Sequence, residues 1–531
     1  MSTVTSTVRD ATHALMRSLG MTTVFGNPGS TELPFFRDWP SDLRYVLALQ
    51  ESAAVAMADG YAQASDNAAF VNLHSAVGVG HAMGSIFTAM RNHAPLVITA
   101  GQQTRAMLPT EPFLHSRQAT ELPRPYVKWS SEPARAEDVP AAIARAYHTA
   151  MQRPRGPAFV AIPVDDWDAE VGEETPRREV HGAFVGDPVG LHAVAEVLGR
   201  SASPALVVGP GVDRDGAWDL TVELAEKVQA TVWASPLSNR CSFPEDHPAF
   251  AGFLTPQRGK LAEQLRGHDV VVVLGAPVFT YHVHEGGPFL TDGTELFQLV
   301  DDPESAAYAP VGTAVLTSLR LGISQLLADV ARHPRRPSSG RDRHGAPPAT
   351  SPMSAAFVLH TIAGLMPADA IVVEEAPSHR NALHEHLPIR ISGGFYTCAS
   401  GGLGYGLPAA AGVALASPER RVICLLGDGS SLYSIQGLWT AAQHQLPISF
   451  VILNNGGYTA LKSFASDLGI EKAPGVDLPG IDFLALAGGF GCPGRRVEQP
   501  EDLEPALRDS LAADGPTLVD VAFDEGVGRL Y

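Results

Sequence analysis

The sequence lacks the features that mark several large classes of protein. Among its 531 residues are four cysteines, Cys241, Cys398, Cys424 and Cys492, scattered without a CxxC pair. That spacing argues against a disulfide framework and against a zinc site, and isolated thiols in a reducing compartment are the expected reading. No run of about 18 apolar residues is present, so nothing reads as a membrane-spanning helix. A signal peptide is not expected either. Val8, Ala11, Leu15, Met16 and Leu19 recur at helical spacing, with Arg9, Asp10 and Arg17 between them, and Gly20 stands where a helix should stop. Positive charge is scarce: 38 Lys and Arg against 57 Asp and Glu give a formal charge of −19. Such a balance disfavours nucleic acid or an anionic membrane surface as a partner. An anionic ligand must then be held by local devices such as helix ends or a metal. The expectation is a cytoplasmic enzyme acting on a small molecule.

What the sequence does have is alternation. Short β-branched runs alternate with helical stretches, the pattern of parallel sheets with crossover helices. The length predicts about three domains. Two places break the alternation: a polar, acidic stretch at 165–188, and a Pro-, Gly-, Ser- and Arg-rich stretch at 333–353. They divide the chain into 1–180, 181–340 and 341–531. The fold class expected is α/β, three doubly wound parallel-sheet domains. Candidate strands are Thr23–Gly26, Tyr45–Leu49, Phe70–Leu73 and Leu96–Ala100 in the first block. The second offers Ala205–Gly209, Thr231–Ala234, Val270–Gly275 and Leu296–Val300. The third offers Ala370–Glu374, Arg421–Leu426, Ile448–Leu453 and Thr517–Ala522.

Ligands of open parallel sheets bind outside the carboxyl ends of the strands. Ser30, Glu51 and His74 follow the first three strands of the first block, which puts a hydroxyl, a carboxyl and an imidazole at one edge of one sheet. Capping and turn roles explain the same residue types, and the pattern alone does not choose between these readings.

The third block carries a sharper signal. The strand RVICLL runs into Gly427-Asp428-Gly429, and ISFVIL runs into Asn454-Asn455, with the 24 residues 430–453 between them. A parallel βαβ crossover of that length sets Asp428 and Asn455 side by side. A carboxylate, an amide oxygen and a nearby backbone carbonyl suit a hard cation such as Mg2+, with phosphate oxygens completing its shell. Gly427 and Gly429 let backbone approach an anion, and a helix starting near Ser430 and Ser431 offers free N–H groups.

GDG followed by NN at this separation resembles the cofactor-binding motif of thiamine-diphosphate enzymes. The segments VFGNPGSTELPF, LALQESAAVAMADGYAQAS, NLHSAVG, AGQQTRAM, LPRPYVKWS, GGLGYGLPAAAGV and PGIDFLALA extend the likeness over essentially the whole chain. Together they resemble the benzoylformate decarboxylases within that superfamily. The resemblance implies a non-oxidative decarboxylation of an aromatic 2-oxo acid to the aldehyde and CO2. It implies thiamine diphosphate with Mg2+ or Ca2+ as cofactors, and a homodimer or homotetramer with active sites at the subunit interface. Glu51 would hydrogen-bond the pyrimidine ring of the cofactor. Gly401 would receive the ring's amine on its carbonyl, and Leu403 would wedge under the cofactor. Ser378, Gly427, Gly429, Ser430 and Tyr458 would surround the rest of it, with Asp428, Asn455 and the carbonyl of Gly457 on the metal. Ser30 would hold the substrate carboxylate, and His74 and His282 would move protons. Phe113, Leu114, Thr397, Leu461 and Phe464 would line the substrate pocket.

The chain departs from this pattern in places. Thr397 stands where an aromatic residue is expected, Thr459 where a glycine is expected, and Pro377, His379 and Arg380 occupy a stretch expected to be Ser/Thr-rich. A smaller or more polar wall at Thr397 would admit a substituted ring or a different acyl group. Two further readings compete: a thiamine-diphosphate carboligase or lyase, or a decarboxylase of another 2-oxo acid, and a nucleotide- or flavin-binding oxidoreductase suggested by Gly209-Pro210-Gly211. The last lacks the full GxGxxG fingerprint. A non-catalytic relic of the fold is disfavoured because Glu51 and Asp428 are both present.

Overall fold

The computed structural model describes residues 6–171, 175–332, 345–523 and 530. It contains three six-stranded sheets, every neighbouring pair in them parallel. In the first, the spatial order is Arg44–Leu47, Thr23–Gly26, Ala69–Leu73, Leu96–Gln102, Ala158–Pro163, Ser130–Ser131. The third runs Phe395–Thr397, Ile371–Glu375, Val422–Gly427, Ile448–Asn454, Thr517–Ala522, Gly494–Val497. Central strands such as Val270–Leu274 are buried along their whole length. Helices cover both faces, so a strand of this kind needs no polar side and reads as a continuous apolar run.

All twelve strands expected from the sequence are present, their ends displaced by at most two residues. Six other strands of these three sheets were not expected, nor was the small pair Ser6–Thr7 and Glu170–Val171. Five of the six (Ser130–Ser131, Phe250–Phe253, Thr313–Leu316, Phe395–Thr397 and Gly494–Val497) lie at sheet edges. An edge strand packs on fewer neighbours and is kept short, which leaves little apolar pattern to read. The sixth, Ala158–Pro163, is internal, but Pro157 and Pro163 bracket it like a loop.

The acidic stretch after residue 165 is not a linker at its start. Val164–Asp168 forms a 3-10 turn, the Trp167 ring packs 4.7 Å from Phe35, and Asp168 takes Arg9 at 2.6 Å. Residues 333–344 of the second break lie outside the described residues; beyond them, Met353 bridges to Phe523 in the third domain. All four cysteines are buried and unpaired.

The first and third domains share one hydrophobic core. Its tightest point is the crossing of helices Glu51–Ser65 and Gly406–Ala416. A Cβ on Gly412 would lie 1.8 Å from the carbonyl oxygen of Met57, and one on Gly60 would lie 2.3 Å from that of Ala409. Only hydrogen fits between these backbones. A similar approach explains Gly209-Pro210-Gly211. Side chains at Gly209 or Gly211 would strike Ala276 and Gly275 of the neighbouring strand end, so these glycines serve close packing.

Candidate active site

At the carboxyl edge of the first sheet the three expected groups sit on one rim. Ser30 is exposed at the tip of the loop after Thr23–Gly26, and Glu51 opens its helix. His74 precedes the helix Ser75–Asn92. Sequence reasoning missed the residue that organises them. Glu32 is 1% exposed and accepts hydrogen bonds from the N–H of Gly29 (2.9 Å), the N–H of Gly101 (3.0 Å) and the Thr31 hydroxyl (2.6 Å). Its second oxygen lies 2.8 Å from His74 Nδ1. A carboxylate there fixes the imidazole so that Nε2 is the nitrogen left for other work. Gln50 caps the helix that carries Glu51, accepting from Ala53 at 3.2 Å, and Glu51 Oε2 meets His81 Nδ1 at 3.1 Å.

At the third sheet, strands Val422–Gly427 and Ile448–Asn454 are neighbours with Gly427 opposite Leu453, so the loops after them lie together as the spacing requires. Asp428 is 4% exposed and accepts from the N–H of Gly429 at 2.7 Å and of Gly457 at 2.8 Å. Burial raises its pKa above the ordinary carboxylate value, against these N–H groups, which favour the charged form. The amide of Asn455 donates to Thr459 Oγ1 at 2.5 Å, while its own oxygen is buried without a hydrogen-bond partner. A buried acceptor beside a buried carboxylate is costly unless something positive comes to both. Thr459, which stands where a glycine was expected, therefore orients the amide. The Gly457 carbonyl accepts from the Thr459 N–H at 3.1 Å and keeps a second lone pair. A cavity of about 290 Å³ opens here between Asp428, Asn455, Gly456, Pro479 and Ile481. Gly429 must be glycine because its Cβ would sit 2.3 Å from the Tyr458 ring. These donors fit a hard divalent cation.

The loop carrying Gly401 and Leu403 is held by a second residue the sequence did not reveal. Glu375, at the end of its strand, accepts from the N–H groups of Gly404 (2.5 Å), Tyr405 (3.3 Å) and Gly406 (2.8 Å). Burial pushes its carboxyl up to about 8, the three N–H groups opposing that rise. Gly401 is exposed, Leu403 half-buried, and Ser378 half-buried in a turn after the same strand.

Of the pocket residues, Phe464 meets the His282 ring edge-on, centroids 5.2 Å apart. Leu461, on the same helix as Phe464, is 51% exposed; Phe113 is 86% exposed with half-buried Leu114 beside it. Thr397 departs from expectation. It is fully buried, and Arg380 donates to its hydroxyl at 2.8 Å while pairing with Glu374 at 2.8 Å.

The two clusters belong to opposite ends of one helix. Glu51 packs on Gly78 near the start of Ser75–Asn92, whereas Ser400, beside Gly401, bonds Thr88 at 2.8 Å. Ten residues of helix separate these levels, about 15 Å. Within one chain, therefore, Glu51 and the Gly401 loop do not face a common cofactor ring.

Comparison with known proteins follows the same division. Thiamine pyrophosphate enzyme domains match in order: the N-terminal TPP binding domain at residues 6–121, the central domain at 191–326 and the C-terminal TPP binding domain at 376–521. A benzoylformate decarboxylase of Pseudomonas aeruginosa is 46% identical over 522 residues, covering 97% of this chain and 98% of that protein. The crystal structure of benzoylformate decarboxylase from Polynucleobacter necessarius superposes with a TM-score of 0.97 at 40% identity, covering 98% of this chain and 99% of the other. A thiamine diphosphate-dependent 4-hydroxybenzoylformate decarboxylase from Rhodococcus jostii superposes with a TM-score of 0.95 at 44% identity, covering 98% and 100%. With three matched domains and relatives alike along their whole length, the chain belongs to the thiamine pyrophosphate enzymes, in the family of the benzoylformate decarboxylases.

Proposed function

We propose that this protein decarboxylates an aromatic 2-oxo acid of the benzoylformate type to the aldehyde and CO2, using thiamine diphosphate and Mg2+ or Ca2+. The observation that carries the reading is the Asp428–Asn455 pair, with its buried, unpartnered amide oxygen. When bound, thiamine diphosphate supplies a nucleophilic carbon and an electron sink, which is what loss of CO2 from a 2-oxo acid requires.

The chain's own groups divide the remaining work. Asp428, Asn455 and the Gly457 carbonyl would hold the cation, with Gly427, Gly429, Ser430 and Ser378 against the diphosphate. Glu51 would hydrogen-bond the cofactor's pyrimidine ring through its carboxyl group. Gly401 would receive the amine of that ring, and Leu403 and Tyr458 would support it. Ser30 anchors the substrate carboxylate, which the chain's overall negative charge would otherwise repel. His74, its Nδ1 engaged by Glu32, works from Nε2, and His282 works from the side carrying Phe464. Phe113, Leu114, Leu461 and Phe464 provide apolar wall that excludes water.

The separation of Glu51 from the Gly401 loop supports sites built between two copies, with Glu51 from one chain and the loops of the third domain, Asp428 among them, from the other. Exposed Phe113 agrees with a surface that a second chain covers. The test is CO2 release from benzoylformate by metal-stripped protein, with and without thiamine diphosphate and Mg2+. Release that requires both supports the proposal. Tight cofactor binding with no release from benzoylformate or its ring-substituted analogues would overturn the substrate class.

A further inference from the structure

Away from the thiamine site, the three domains meet around a cavity of about 240 Å³ lined by Arg155, Arg214, Arg240 and Arg420 with Asp66 and Asp213. In a chain carrying a net −19, four guanidinium groups around one small space call for a physical account. The carboxylates are spoken for. Asp66 pairs with Arg155. Asp213 takes Arg240 at 2.6 Å, the Ser392 hydroxyl at 2.6 Å and the Gly393 N–H at 3.1 Å. Arg240 is further pinned over the Tyr396 ring, 4.7 Å from its centroid.

Two arginines remain without a carboxylate at ion-pair distance among the described residues. Arg214, from the middle domain, donates one long bond of 3.3 Å to the Asn92 carbonyl. Arg420, from the third domain, uses Nε on the Asp369 carbonyl at 2.7 Å, while its Nη2 is buried with no hydrogen-bond partner. His93 on the same wall is held neutral, its pKa pushed well below the ordinary value mainly by burial. The lining of the cavity therefore carries four positive and two negative groups, and Asp301, which pairs with Arg153, acts on Arg214 from behind it. A buried cation left unpaired is strongly destabilising, and guanidinium N–H groups match phosphate and carboxylate oxygens. Burial pulls Arg214 down to about 10, with Arg240, Arg155 and Arg153 nearby adding to the fall and Asp301 opposing it.

We propose that this junction binds a small dianion, inorganic phosphate or a short dicarboxylate, between Arg214 and Arg420. Its charge would offset the cationic lining, and its oxygens would accept hydrogen bonds from the unused N–H groups of both arginines. Because the cavity is walled by all three domains, the anion would tie them together. The site is independent of the thiamine chemistry.

The test uses holoenzyme saturated with thiamine diphosphate and Mg2+, so that phosphate cannot report on the cofactor site. Phosphate, malonate and chloride are titrated at constant ionic strength, with melting temperature and calorimetric heat as readouts. The expected result is a saturable shift with phosphate, malonate or both, one site per chain, and none with chloride. Arg214→Gln should weaken that binding at least tenfold, and so should Arg420→Gln, which guards against a folding defect in one variant. In anion-free buffer, Arg214→Gln should melt no lower than wild type, because it removes an uncompensated charge. A purely structural arginine would give a lower melting point under every condition. Non-saturating shifts, or saturable binding equal in wild type and both variants, would overturn the proposal.

Discussion

Replacing Glu32 by glutamine tests how the histidine of the site is set. The change keeps shape and removes one acceptor oxygen. Suppose the amide oxygen keeps the place that accepts from Thr31 and Gly101, at 2.6 and 3.0 Å. The amide nitrogen then faces the Gly29 N–H and His74 Nδ1, where the carboxylate oxygen stood at 2.9 and 2.8 Å. Two donors meet at Gly29, leaving a buried N–H unsatisfied at a cost of about 1–3 kcal/mol, and a charge-assisted bond worth about 1.5–3 kcal/mol disappears. A loss of about 3 kcal/mol in stability is expected. His74 can meet the new donor only by presenting a lone pair at Nδ1, which moves its proton to Nε2, the nitrogen facing the substrate side. Proton transfers by a positioned side chain are worth about 10²–10⁴-fold, so kcat should fall by about 10²-fold while KM moves less. Urea unfolding and steady-state kinetics read the two effects. Stability within about 0.5 kcal/mol of wild type, together with kcat within about twofold, would refute the reasoning.

Other perturbations follow from the same geometry. Glu51→Gln should cut kcat by about 10²-fold or more with the unfolding midpoint unchanged, and an unaltered rate would remove Glu51 from the chemistry. Asn455→Ala deletes the orphaned amide oxygen; it should weaken Mg2+-dependent cofactor retention in equilibrium dialysis while leaving the apoprotein at least as stable. Glu375 is held near 8 by burial, well above an ordinary glutamate. Over the range between the two values the folded protein keeps a proton that the unfolded chain has lost. The stability from this group is therefore full below about 4.5 and is lost as pH rises through about 8. Urea unfolding at pH 5 and pH 8.5 should show wild type losing more stability across that range than Glu375→Gln. Equal losses would contradict the assignment.

What the sequence made legible was local. GDG and NN each follow an apolar run, and their separation alone determines that Asp428 and Asn455 become neighbours. The central strands were readable because burial on both faces writes itself as unbroken Val, Ile and Leu. The edge strands other than Arg44–Leu47 were not, since two to four residues with half the neighbours leave no such trace, and the internal Ala158–Pro163 was hidden by its prolines. Neither were the carboxylates that aim the site. Glu375 reaches Gly404–Gly406 about thirty residues on, and Glu32 reaches Gly101 across 69. Nothing in the periodicity of either segment announces those partners. The partner of Thr397 was hidden in the same way, because its hydroxyl accepts from Arg380, seventeen residues away in sequence. Phe113, exposed in a single chain, was a candidate by resemblance alone.

The claim on which the rest depends is that each site takes Glu51 from one copy and Asp428 from another. It is tested by mixing two inactive variants, Glu51→Gln and Asp428→Ala, under conditions that let subunits exchange, and measuring decarboxylation with saturating thiamine diphosphate and Mg2+. In a mixed dimer one site collects both defects and the other collects neither. Random pairing should then restore about a quarter of wild-type activity. Mixed dimers that form and remain inactive would contradict the account, because each chain would then be supplying both residues to its own site.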